Sequence, residues 1–321
     1  VKKIKKLLII AAANNFHFIK DISDTLNRSD NLDVKLFHMA DQSSNKLSSM
    51  INDSDIIWFE WADGVCLSLL SDDFFIRKYL SKKKMILRLH RYELFNQNII
   101  HKIDKIDHSV IDHLVFVSSY VKQIGVSHFP WMERGIVIPN LIDMDKFPFH
   151  DRMSGYELLF LGRISYVKNL PLMLDMFYEL TKVDSNYRLN IVGNIHEKEL
   201  IYYLDNYLNK TNLHQNINIH GYIENENLPE FMEGMNYICC SSIFESQGVG
   251  MLEGMATGLK PIVFNFPGAE SFFPEQFLYI DRKGFVDAIL RRGYSPKLYR
   301  QFVSSNYSIQ KRIGLYEDLL K

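Results

Sequence analysis

The chain has 321 residues, 47% of them apolar, and a formal charge of −1. That is length enough for two domains with a core each, too apolar a chain for disorder, and too even a charge balance for bulk nucleic-acid binding. The three cysteines, Cys66, Cys239 and Cys240, lack metal-ligand spacing; the adjacent pair sits in an apolar run as core filler, which fits a reducing, cytoplasmic setting.

The first residues, Val-Lys-Lys-Ile-Lys-Lys before Leu7-Leu8-Ile9-Ile10, have the outline of a secretion signal. The apolar run is short, and Asn14, Asn15 and His17 break the stretch after it, so the expectation is a first β-strand. No apolar run approaches the length of a membrane span. Beyond this point short apolar runs alternate with longer amphipathic stretches, as in βαβ units around a parallel sheet. The pattern predicts strands at 4–10, 34–38, 56–59, 85–89, 114–117 and 136–138, and helices at 16–26 and 65–80.

Open α/β sheets bind ligands beyond the carboxyl ends of their strands, so the residues after each strand are the candidates. After the first, Asn14-Asn15 reads either as a turn with positive φ or as an N-cap. After the third come Glu60-Trp61-Ala62-Asp63. Aromatic rings beside acids suit a sugar acceptor, and core packing of Trp58 beside a solvated Glu60 is the other reading. After the fourth comes Arg88-Leu89-His90; a histidine at a strand end is by itself a satisfied structural group. The histidines give no zinc pattern. Two Asp-x-Asp tripeptides, Asp53-Ser54-Asp55 and Asp143-Met144-Asp145, begin a strand and lie in a linker, both wrong for a metal site.

Pro139 and Pro148 bracket a stretch without periodicity, and a domain boundary is placed there: residues 1–150, 151–300 and a final helical segment 301–321. In the second half strands are expected at 158–161, 187–193, 217–221 and 260–263, with helices at 170–181 and 225–232. Ser308 is positioned to cap a last helix over 309–320. After the strand at 158–161 stand Arg163 and Lys168, five residues apart beside a helix start, a pairing that suits a diphosphate. Ile223 comes just after the strand at 217–221. The apolar run 236–240 then leads into Ser241–Gly258, where Glu245 and Glu253 stand with seven residues between them. Gly248, Val249 and Gly250 allow a tight turn whose amides approach a ligand. A helix beginning near Gly250 would present its free N–H groups to an anion and put Glu253 in its first turn. Taken alone, Gly-x-Gly favours a plain strand–turn–helix connection in which Glu253 complements the helix dipole.

The full pattern, Phe244-Glu245-Ser246 with Gly248, then Glu253-Gly254-Met255-Ala256 with Gly258, resembles the Glu-seven-Glu motif of nucleotide-sugar glycosyltransferases of the GT-B fold, especially family 4. Gly162-Arg163 through Lys168-Asn169 is similar to the same family's cationic segment. Pro139-Asn140-Leu141-Ile142-Asp143 is similar to its linker, with Leu141 in place of glycine. The resemblance implies an α/β chain of two Rossmann-like domains facing across a cleft, with the last helix crossing back to the first. It implies that Glu245 contacts the transferred sugar, Glu253 the ribose, the amides of Gly248, Val249 and Gly250 the sugar and diphosphate, and the backbone at Ile223 the base. Arg163 and Lys168 would clamp the diphosphate, and His90 would stand near the sugar. Asn14 and Asn15 replace the family's glycine-rich first loop, and Gln247 stands where many members carry an aromatic ring. Glu60, Asp63 and His17 are the acceptor-side candidates in the first domain.

The function implied is that of a retaining, hexosyltransferase-type enzyme needing neither metal nor cofactor. Its donor would be a nucleotide-diphosphate sugar and its acceptor a glycan or lipid-linked glycan, in surface polysaccharide synthesis. The lysines at 2, 3, 5, 6 and 82–84 leave open peripheral contact with the inner face of a membrane. A GT-B sugar-nucleotide epimerase and an inactive GT-B subunit that binds a sugar or a partner are the alternatives.

Overall fold

A computed structural model describes residues 4–11, 16, 18–38 and 44–321. The apolar runs form two parallel sheets. The first comprises β1 (Lys5–Ala11), β2 (Leu32–His38), β3 (Ile56–Glu60), β4 (Lys84–Leu89), β5 (His113–Phe116) and β6 (Ile136–Val137), in the order β2-β1-β3-β4-β5-β6. The second comprises β7 (Glu157–Leu161), β8 (Arg188–Val192), β9 (Ile217–Gly221), β10 (Tyr237–Cys240), β11 (Lys260–Phe264) and β12 (Leu278–Tyr279), in the order β12-β11-β10-β7-β8-β9. Every neighbouring pair in both sheets is parallel.

The central strands are apolar almost throughout because a parallel sheet is covered on both faces. Alternation along each strand then sends neighbours to opposite sides. Leu8, Ile10, Ile57 and Phe59 join one core of the first sheet, while Leu7, Ile9, Ile56 and Trp58 join the other. In the second sheet Ile238 and Cys240 face one core, Tyr237 and Cys239 the other, so the adjacent cysteines fill space on opposite faces.

Contacts divide the chain into one unit of Val1–Leu141 with Ile309–Lys321 and another of Ile142–Ser308. The end of the chain belongs to the first unit, where Tyr316, Leu319 and Leu320 share a core with Leu7, Ile9 and Trp58. It forms two short helices, Ile309–Arg312 and Gly314–Leu320, where the pattern predicts one. The helix expected over 65–80 is likewise divided. Gly64–Leu70 ends at Ser71, Asp72 accepts a hydrogen bond from the Phe75 N–H and starts a new turn, and Ile76–Leu80 is wound as a π-helix. A side chain that caps the backbone locally competes with continuation of the helix, and apolar periodicity does not register that. Among the described residues no helix is long and apolar enough to cross a membrane.

Candidate functional site

Strand order reverses between β7 and β10 in the second sheet. From β7 the chain builds outward through β8 and β9, then returns to lay β10 on the other side. The loops leaving the carboxyl ends of β7 and β10 diverge from this point, where open α/β sheets hold ligands.

The loop after β7 is fixed by backbone pairing that runs past the strands. Gly162 N–H donates to Val192 O at 3.0 Å, Ile164 N–H to Asn194 O at 3.0 Å, and Gly193 N–H to Gly221 O at 2.7 Å. Gly162 and Gly193 have φ of 134° and 129°, and a Cβ on Gly193 would lie 1.9 Å from Gly162 O. Only glycine lets the two backbones meet there. Tyr166–Lys168 makes one 3₁₀ turn, Asn169 takes the left-handed conformation at φ 54°, and helix Leu170–Val183 comes next with a proline in its first turn. Arg163 is exposed on this loop, and Lys168 is half-buried with its Cε passing over Gly162.

The loop after β10 is bonded to that turn. Buried Ser241 donates through Oγ to Lys168 O at 2.9 Å and Asn169 O at 3.1 Å, and Ile243 N–H donates to Val167 O at 2.9 Å. Lys168 Nζ reaches Glu245 Oε1 at 2.6 Å, and Ser242 Oγ donates to the same oxygen at 2.7 Å. Lys168 and Glu245, two of the residues singled out in the sequence, are thus in contact, while Arg163 stays on the surface. A partly exposed ion pair contributes only about 0–1 kcal/mol, so what it does here is fix two side chains in place.

Gly248, at φ 77°, turns the chain into helix Val249–Thr257. Met251 and Leu252 N–H donate to Gly248 O at 3.0 and 3.4 Å, and the amides of Val249 and Gly250 before them lie at the positive end of the helix dipole. Gly250 lies in the first turn. A Cβ there would sit 4.0 Å from Glu253 Oε2, which puts the half-buried carboxylate back over the helix start. The helix begins at Val249, so Glu253 falls beyond the first turn expected for it. It reaches the N-terminal end because helical side chains lean that way. Gly254 packs on β10 so closely that a Cβ would lie 2.8 Å from Ile238 Cδ1. Ile223, beyond the end of β9, packs against the core beneath this helix. A cation, the first amides of a helix and two carboxylates at the carboxyl end of one sheet can hold an anion flanked by hydroxyl-bearing groups.

In the first unit Glu60 ends β3 in register with Arg88 of β4. Both are buried, as are His90 and Glu93. Arg88 Nη1 donates to Glu60 Oε1 at 2.7 Å, and its Nη2 donates to Asn140 Oδ1 at 2.6 Å and Tyr316 Oη at 3.0 Å. His90 Nε2 lies 2.8 Å from Glu60 Oε1, and Trp58 Nε1 donates to Glu60 Oε2 at 3.0 Å. Burial pushes the Glu60 carboxyl up, but Arg88, with the hydrogen bonds from His90 and Trp58, holds it below the ordinary carboxylate value. Burial also pulls His90 below the usual histidine value. It pushes Glu93, which accepts the N–H groups of Ala62 at 3.2 Å and His90 at 3.3 Å, up to about 8.

Glu60 is therefore an interior group, which corrects the solvated Glu60 of one of its two sequence readings, and His90 lies beneath the surface at the strand end. Asp63 caps helix Gly64–Leu70, accepting from the N–H groups of Val65 and Cys66 at 2.9 Å. Asn14, Asn15 and His17 lie outside the described residues. The sequence reading did not anticipate Glu93, Asn140 and Tyr316 in this cluster. The signal available was Arg88, a lone cation inside the apolar run of β4, which requires a buried counter-charge.

Asp53, Asp55 and Asp143 of the Asp-x-Asp tripeptides meet backbone N–H groups and lysines. Asp53 pairs with Lys6 Nζ at 2.6 Å, Asp55 accepts the Lys6 N–H at 3.0 Å, and Asp143 accepts the Asp145 N–H at 3.2 Å. Among the described residues no three His, Cys, Asp or Glu side chains gather as a metal site would require.

Residues 144–292 match the family model of the glycosyl transferases group 1. Among curated proteins none matches the chain in sequence. In three dimensions the chain is similar to HepE of Anabaena in complex with UDP, with 14% identity, 99% of each chain covered and a TM-score of 0.79. It is also similar to a glycosyltransferase from Rickettsia africae, at 14% identity over 100% of each chain with a TM-score of 0.76. A third likeness is to the lipopolysaccharide outer core galactosyltransferase WaaB, at 13% identity, covering 98% of this chain and 99% of that one, with a TM-score of 0.68. The fold is therefore that of the GT-B glycosyltransferases, and the stretch that carries the Lys168–Glu245 site is the one that matches the group 1 family.

Proposed function

We propose that the protein is a retaining glycosyltransferase that moves a hexosyl group from a nucleotide-diphosphate sugar to a glycan or lipid-linked acceptor. The observation that carries this reading is the meeting of Lys168, Glu245 and the N-terminus of helix Val249–Thr257 at the strand reversal of the second sheet, inside the family match. When a glycosyl phosphate bond breaks, negative charge grows on the departing diphosphate. Fixed cations and backbone dipoles aimed there stabilise the transition state more than the ground state. In this reading Lys168, Arg163 and the amides of Gly248, Val249 and Gly250 hold the diphosphate, Glu245 accepts sugar hydroxyls, Glu253 the ribose hydroxyls, and the backbone near Ile223 meets the base.

The acceptor oxygen bonds to the anomeric carbon on the face from which the diphosphate leaves. Its proton passes to the diphosphate oxygen as the old C–O bond breaks, so configuration is retained and no side-chain base is needed. Lys168 and the helix start supply the positive charge, and the reading uses neither metal nor cofactor. HepE, solved with UDP and glucose, supports a uridine diphosphate sugar as donor, and WaaB supports a role in surface polysaccharide. The first unit takes the acceptor, with Glu60, His90 and Asp63 at its strand ends, and the basic lysines of that unit bring it to the cytoplasmic face of a membrane.

The test is incubation with UDP-, GDP- and ADP-sugars in EDTA, with diphosphate release and the anomer of the released sugar monitored by NMR. The proposal expects slow release from one donor with its anomeric configuration kept. Inverted product would end the retaining assignment, and the absence of turnover with every donor would end the enzymatic one.

A further inference from the structure

Trp61, the residue directly after β3, carries two unfavourable features at once. Its φ is 122°, a region a bulky side chain occupies only under constraint. Its indole Nε1–H is buried with no hydrogen-bond partner among the described residues, although a buried donor is ordinarily satisfied. Trp58, two residues before Glu60, has its indole N–H on that carboxylate at 3.0 Å.

The backbone is clamped on both sides of the strain. Trp61 N–H donates to Arg88 O at 3.1 Å, extending the β3–β4 ladder, while Ala62 N–H is held by Glu93 and Asp63 caps the next helix. The ring itself lies flat on His90, with centroids 3.9 Å apart and planes at 19°, and Phe18 tilts against both. Glycine at this position would relieve the backbone, and phenylalanine would remove the unpaired donor while keeping the stack. Neither is present. Trp61 also stands where the first sheet reverses, between β1 and β3, at the end where such sheets bind ligands. Strained residues concentrate at such sites.

We infer that Trp61 is a ligand contact of the first unit, its indole N–H completed by a hydroxyl oxygen of an uncharged sugar ring. The ligand supplies an acceptor, since the indole can only donate. It is uncharged because the charges beside it are matched: Glu60 is bonded to Arg88, His90 and Trp58. A flat aromatic wall with one fixed donor is the chemistry that orients a pyranose, and half-exposed Phe18 is the ring a ligand shifts to reach the buried N–H. The inference rests on the proposed sugar-transferring function, and it assigns the acceptor side to a sugar ring rather than to a lipid chain.

The three tryptophans give three indole N–H signals in ¹⁵N-labelled protein, and Trp61→Phe identifies the one of interest. The probes are methyl α- and β-glucopyranosides and galactopyranosides, with glycerol at matched hydroxyl concentration as control and UDP added separately. The expected result is a saturable shift of the Trp61 signal with at least one glycoside and none with glycerol. Trp61→Phe should melt at or above the wild-type temperature, because it sheds an unpaired donor, keep its UDP affinity and lose glycoside binding. An unmoved Trp61 signal in protein that binds UDP overturns the inference, as does a signal coupled only to bound water, which would mark a hydrated structural pocket. A Trp61→Phe melting temperature many degrees lower would identify the ring as core and overturn it too. A glycoside response without UDP binding keeps the Trp61 site and removes the donor reading instead.

Discussion

In the proposed reading Lys168, Arg163 and Glu253 would meet the donor at groups that behave differently during reaction, so substitutions should separate them. The diphosphate gains charge as its bond breaks, whereas the ribose does not. Lys168→Ala and Arg163→Ala should lower kcat by about 100- to 1000-fold, and Glu253→Gln should raise the donor KM with kcat nearer normal. Steady-state kinetics at varied donor check this; near-normal kcat in Lys168→Ala would contradict it. The buried cluster of the first unit calls for a stability measurement. Arg88→Met leaves Glu60 buried without its cation, a loss of about 3–5 kcal/mol readable by urea denaturation. Glu93 acts the other way with pH. Its folded pKa of about 8 lies above the ordinary 4.5, so the native state holds a proton that the unfolded chain has lost. Stability from this group is complete below pH 4.5 and declines as pH rises toward 8. Glu60, depressed in the fold, contributes above its unfolded value and loses that contribution as pH falls through the folded one. Melting temperatures from pH 5 to 8 should therefore decline less in Glu93→Gln than in the wild type. Residue types alone do not reveal these pairings. Glu60 and Arg88 are 28 apart in the chain, and only the β3–β4 register sets one opposite the other.

Two glycines carry the site at the scale of elements, and each forbids a side chain for a different reason. At Gly254 an added Cβ meets Ile238 at 2.8 Å, so Gly254→Ala must push helix Val249–Thr257 off β10. Overpacking of this kind costs about 1–3 kcal/mol, and because the helix start moves, UDP affinity should fall alongside the melting temperature. Gly193→Ala has no such latitude, since its contact is backbone oxygen at 1.9 Å; the loop bearing Arg163 must detach or the unit must fail to fold, as circular dichroism and UDP titration would report. Strand positions were readable because buried parallel strands are continuous apolar runs, and the glycines that end β7, β8 and β9 mark where each run stops. The start of helix Val249–Thr257 was nearly readable, since Gly248 and Gly250 are both free to turn left-handed and Gly248 is the one that does, at φ 77°. The stretch 65–80 divides where its apolar period predicts one helix because Asp72 supplies a cap in the middle of it. The two-residue strand β12 is too short for periodicity to distinguish, whereas β6 falls within the strand expected at 136–138.

The whole molecule divides into two units with separate cores, and the chain's last helices complete the first of them. Tyr316 stacks on Trp58 with centroids 5.8 Å apart, accepts from Arg88 and donates to Pro139 O at 2.7 Å. A chain ending at Ser308 strips that cover from Trp58 and Arg88. Calorimetric melting should show one transition lowered sharply and the other near its original temperature; equal lowering of both would mean that the units melt as one. In the proposed function the second unit holds a nucleoside diphosphate by Lys168 and backbone amides without a metal. The direct measurement is titration calorimetry of UDP and GDP into EDTA-treated protein, wild type beside Lys168→Ala. At least one nucleotide should bind in EDTA, and more weakly to Lys168→Ala. No binding of either in EDTA, with binding restored by Mn²⁺, would contradict it.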